Sequence, residues 1–128
     1  MPEELRDERG IVVHPKWAVL PVGGELETRG GTHSLADLQH EVGGYVEHIA
    51  GPHGEDLWIN EEGKLEGLRM NAGATQYLRK HGRIMPGDYI AGSMVISAIS
   101  EKRWQKLREE FPEGTTVIIP NGFTIVRV

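Results

Sequence analysis

The sequence predicts an α+β protein: a mainly antiparallel sheet of about six to eight short strands with two or three packed helices and a C-terminal β-hairpin. Three observations carry this. Turn signals suited to hairpins stand at Asn60-Glu61-Glu62-Gly63 and Asn121-Gly122. The helical stretches open on capping residues and close on glycine or proline. Strict strand-helix-strand alternation, which would signal a parallel sheet, is absent. At 128 residues the chain fits one domain, able to bury roughly two-thirds of its unfolded surface. Residues 1–10 are charged rather than apolar and read as a flexible tail, with 11–128 as a single globular domain.

Taken in order, Ile11-Val12-Val13 and Ala18 to Val22 read as two short strands turning at His14-Pro15-Lys16, with Pro21 marking an edge or a strand end. Gly23-Gly24 and Gly30-Gly31 bracket Glu25 to Arg29, expected as a mobile loop. Ser34 caps a helix over 35–42 whose Leu35, Leu38 and Val42 share a face. Gly43 or Gly44 ends it in the left-handed conformation, and 45–50 follows as a strand with Glu47 and His48 on opposite faces. Leu57-Trp58-Ile59 pairs back on it across a Gly51-Pro52-His53-Gly54 turn.

The next turn, 60–63, is expected to use positive φ at Gly63 and to lead into a returning strand from Lys64 to Leu68. Asn71 caps a helix over 72–81, with Ala74, Tyr77 and Leu78 inward and Gly82 as its stop. After the turn at Met85-Pro86-Gly87-Asp88, the apolar run Tyr89 to Ile99 reads as a long central strand. Ser100 caps a helix over 101–111 with Trp104, Leu107 and Phe111 on one face, and Pro112 and Gly114 end it. Thr115 to Ile119 and Phe123 to Val128 then flank the Asn-Gly turn.

Composition limits the function classes. The chain has no cysteine, so disulfides, thiolate ligands and thiol nucleophiles are excluded, and a cytoplasmic setting is expected. A net charge of -5 argues against direct nucleic-acid binding, and no apolar run reaches the roughly 20 residues of a membrane helix. Charge is unevenly spread: Glu55, Asp56, Glu61, Glu62 and Glu66 face only Lys64 over 55–66, whereas 69–83 carries Arg69, Arg79, Lys80 and Arg83 without an acid. The six histidines form no helical His-x-x-x-His pair, and no nucleophile elbow or phosphate loop is present. No catalytic residue, metal ligand set or cofactor is therefore expected.

The ordered motifs Ser34-Leu35, Leu38-Gln39, Val42-Gly43-Gly44-Tyr45-Val46-Glu47, Asn60-Glu61-Glu62-Gly63, Asn71-Ala72-Gly73-Ala74-Thr75 and Gly87-Asp88-Tyr89-Ile90-Ala91-Gly92 resemble domain-of-unknown-function family 3846 over about residues 11–100. The resemblance implies small bacterial, bacteriophage or mobile-element proteins and no established activity, cofactor or catalytic residue.

Two polar groups invite a ligand. At the start of the second helix, Arg69, Asn71, Ala72, Gly73, Thr75 and Arg79 offer a cap, small residues, a hydroxyl and cations, the ingredients of an anion site. The competing reading makes Asn71 a plain cap and the small residues a packing device. Glu47, Glu61 and Glu62 form a secondary cluster, set against an ordinary charged turn. The functional expectation is a non-enzymatic accessory protein binding a small anionic, nucleotide-like ligand or a host protein. Its competitors are an acidic inhibitor of a nucleic-acid-binding enzyme and a metal-assisted hydrolase. A homo-oligomer through an edge strand is a further expectation.

Overall fold

A computed structural model of the chain describes residues 5–6, 9, 16–111, 116–118 and 124–127. It is an α+β fold whose body is a five-stranded antiparallel sheet with three helices. Short strands β1 (Leu5–Arg6), β2 (Trp17–Leu20) and β3 (Glu27–Arg29) precede α1 (Leu35–Val42). Then come β4 (Val46–Ala50), β5 (Asp56–Asn60), α2 (Ala72–Lys80), β6 (Met94–Ser97) and α3 (Glu101–Glu110), with β7 (Thr116–Ile118) and β8 (Thr124–Arg127) last. The body runs β3-β2-β6-β5-β4, and β7 lies parallel to β3 beyond that edge. Among the described residues, no helix is long and apolar enough to cross a membrane.

The sheet is covered on both faces, which explains why its central strands read as unbroken apolar runs. On β2, Trp17 and Val19 face α1 with Val95, Leu38 and Val42, while Ala18 and Leu20 face α2 and α3 with Leu57, Met94, Ile96, Leu78, Trp104 and Leu107. The two-residue period of the strand thus splits one sequence between two cores. Local chemistry sets the helices. Ser34 accepts from the Asp37 N–H while Asp37 accepts from the Ser34 N–H, a reciprocal capping box, and Gly43 ends α1 at φ 80°. Ser100 caps α3 by accepting from the Arg103 N–H, without the reciprocal bond.

Four expectations need correction. Residues 25–29 are not a loop: Leu26 and Thr28 are buried, and Glu27–Arg29 pairs antiparallel with β2. Residues 64–67 form turns and Leu68 is irregular, so there is no returning strand, and one bridge between Met70 and Ala91 stands in for it. The central strand is only Met94–Ser97, because Gly92 at φ 85° breaks the extended run. Gly63 does not use positive φ; an added Cβ there would sit 2.8 Å from the Ala91 carbonyl oxygen, so close approach is what demands glycine. The strand at 11–13 and the Asn121-Gly122 turn lie outside the described residues.

Candidate functional site

The start of α2 is built inward. Asn71 is 1% exposed; its side-chain oxygen accepts from the Ala74 N–H at 3.0 Å while its amide donates to the carbonyls of Leu20 at 2.9 Å and Gly92 at 3.0 Å. One side chain therefore caps the helix and clasps β2 and the 92 turn to it. The Thr75 hydroxyl accepts from the Ile90 N–H, and Gly73 packs against Leu20, where a Cβ would meet its methyl at 3.3 Å. Arg69 and Ala72 are exposed. Arg79 lies in the last turn of α2 and donates to the Asp88 carbonyl at 2.7 Å, away from Asn71. The six residues are thus divided among a buried clasp, an exposed entry and the opposite helix end.

Glu47, Glu61 and Glu62 do come together, around a pocket of about 320 Å³ floored by Ile49, Ile59, Ile84 and Ile90. The antiparallel register of β4 on β5, with Glu47 opposite Ile59, places them there. Lys64 and Asp88 pair across the rim, and Lys64 also lies 4.7 Å from the centre of the Tyr89 ring. The hydrogen bond from Lys64 holds the Asp88 carboxyl below its usual range, and that bond raises Lys64 in turn. His48 points to the other face, 2.8 Å from Asp56. Glu55 is 1% exposed, so the acidic run of 55–66 does not present one continuous surface.

A second concavity, about 610 Å³, opens between the 31–33 loop and the start of α3. Its lining includes Lys16, Thr32, His33, Ser100 and Arg103 and, among the described residues, no carboxylate. Two backbone features assemble it. The Ile99 N–H donates to the Lys16 carbonyl at 3.1 Å, joining the entry to β2 with the exit from β6. Ala98 takes φ 57°, a conformation costing an L-residue about 1 kcal/mol, and its carbonyl accepts from the Arg103 guanidinium at 2.7 Å. The positive end of α3 adds to Lys16 and Arg103, with Glu101 the acid in its first turn. Nδ1 of His33 is buried and lacks a hydrogen-bond partner among the described residues. An anion suits this surface.

Sequence reasoning missed this cleft because its parts come from three separate segments. The one local signal was Ser100 opening a helix with Arg103 three residues on. It also missed His53, His81 and Glu110, whose ligand atoms all lie within 4.8 Å of one another.

A family model described as Domain of unknown function (DUF3846) matches residues 11–116, extending through α3 beyond the span of the motif resemblance. Nothing among the curated proteins and nothing among the solved structures matches the chain.

Proposed function

Because the chain belongs to the family described as Domain of unknown function (DUF3846), which carries no activity to transfer, we propose its role from its own geometry: a non-enzymatic accessory protein that binds a small anionic ligand at the start of α3. The supporting observation is the cleft of about 610 Å³ lined by Lys16, His33 and Arg103, with no carboxylate among the described residues. Its volume lies within the roughly 300–1,000 Å³ of small-ligand sites. Ala98 takes its positive φ beside the carbonyl that holds Arg103, and the positive end of α3 complements phosphate or carboxylate oxygens. The ligand class is the one expected from sequence, but the site moves from the first turn of α2 to that of α3. An accessory role on a phage or mobile element, acting in the host cytoplasm, belongs to the same proposal. So does the finer fold, a sheet of six to eight strands ending in a hairpin across Asn121-Gly122.

Thermal-shift and calorimetric titration with inorganic phosphate, pyrophosphate and adenosine monophosphate test this against chloride at matched ionic strength. A saturable gain of about 2.7 kcal/mol is expected at a ligand concentration of 100 times Kd. Lys16→Gln and Arg103→Gln should abolish most of it, and Arg69→Gln should leave it intact. Stabilisation that tracks ionic strength alone, or that survives both cleft substitutions, refutes the assignment.

A further inference from the structure

We propose that His53, His81 and Glu110 form a binding site for a divalent first-row transition ion, independent of the anion cleft. His53 lies in the turn between β4 and β5, His81 is the C-cap of α2, and Glu110 is the last residue of α3. Nε2 of His81 lies 2.8 Å from Glu110 Oε1, and Nε2 of His53 lies 3.8 Å from the same oxygen. Ligand bonds of about 2.0–2.2 Å place neighbouring donors about 3.0–3.5 Å apart, so the observed spacings bracket what one ion requires. Two imidazoles and a carboxylate are the donor set that Zn²⁺, Fe²⁺ and their neighbours accept with coordination positions left open.

An independent observation points to a missing partner. Nε2 of His53 is buried and has no hydrogen bond among the described residues, an arrangement that costs free energy and that a coordinate bond would relieve. The cluster is also supported from behind. Buried Glu55 accepts from the His53 N–H at 3.0 Å and from the Tyr77 hydroxyl at 3.0 Å, and the Tyr77 ring packs 5.2 Å from that of His81. These contacts hold the backbone of the turn at His53, and the Tyr77 and His81 rings pack against the His53 ring at 6.3 and 5.2 Å. Lys80 donates to Glu110 Oε2 at 3.0 Å and leaves Oε1 toward the histidines. The C-terminal ends of α2 and α3 both arrive here, where helix dipoles favour a cation. A pocket of about 240 Å³ bordered by Gln76, Tyr77, Lys80, Glu110 and Phe111 gives solvent and small molecules access to the carboxylate.

Titrating the full chain with Co²⁺ and following its visible absorption, with Zn²⁺ competition measured by calorimetry, tests the proposal. One ion per chain is expected, with the intense bands of a four- or five-coordinate ion that Zn²⁺ bleaches. His53→Gln, His81→Gln and Glu110→Gln should each weaken uptake by at least about tenfold. His48→Gln, at a histidine-carboxylate pair elsewhere, should leave it unchanged. Thermal melts of the apo variants establish that they remain folded. Absence of stoichiometric uptake by the folded wild-type chain overturns the proposal, as does uptake that persists unaltered in His53→Gln and His81→Gln.

Discussion

Replacing Asn71 by alanine separates an architectural role for this residue from a ligand-binding one. The side chain makes three buried hydrogen bonds, to the Ala74 N–H and to the carbonyls of Leu20 and Gly92. Losing the cap costs about 1 kcal/mol, and each buried carbonyl deprived of its donor costs about 1–2 kcal/mol. The sum is about 3–5 kcal/mol, a large share of the roughly 5–15 kcal/mol that holds a domain together. With a urea slope of about 2 kcal/mol/M, the unfolding midpoint should fall by about 2 M. Asn71→Ser keeps an oxygen for the cap and should recover about 1 kcal/mol of the loss. Asn71→Asp should be at least as damaging as alanine at neutral pH, since it sets a carboxylate against two carbonyls. Equilibrium urea denaturation followed by circular dichroism reads all three. An Asn71→Ala protein within about 0.5 kcal/mol of wild type would refute the clasp.

Gly51 should resist substitution for a different reason. A Cβ there would lie 1.5 Å from Glu55 Oε1, so Gly51→Ala must expel the carboxylate from Tyr77 and the His53 N–H, at about 2–3 kcal/mol in chemical denaturation. The same change on a Glu55→Ala background should cost clearly less, and equal costs in the double-mutant cycle would contradict the steric account. Asp37 predicts a pH signature. Hydrogen bonds from the Ser34 backbone and hydroxyl hold its carboxyl below 3.8, so its stabilisation is present above that pH and is lost as pH falls through the lowered value. The stability gap between wild type and Asp37→Asn should therefore be constant from neutral pH to about 5 and close below 3.8; a gap that closes on the alkaline side would exclude this origin.

What the sequence disclosed was local. The caps Ser34, Asn71 and Ser100 each accept from an N–H three residues on, so the three helices were legible from caps and periodicity. β4 and β5 were legible because alternation and a glycine turn lie side by side. β3 was hidden because Leu26 and Thr28 become a buried strand only through β2, and flanking glycines made the stretch resemble a loop. Lys64 to Leu68 misled in the opposite direction. Its alternation imitates a strand, yet Gly67 adopts φ 72° and the segment turns. Glu47, Glu61 and Glu62 were legible as a group because the hairpin register brings them together. The concavity at the start of α3 and the His53, His81 and Glu110 cluster were not, since the first joins Lys16, the 31–33 loop and residues 98–103, and the second joins a hairpin turn to the ends of α2 and α3.

Binding of an anion at the start of α3 is tested most directly by titrating pyrophosphate into ¹⁵N-labelled protein and mapping amide chemical shifts. The account predicts saturable shifts centred on Thr32, His33, Ser100 and Arg103, with Ala72 to Thr75 at the start of α2 unmoved. Shifts centred on 72–75, or uniform small shifts reproduced by chloride, would contradict it.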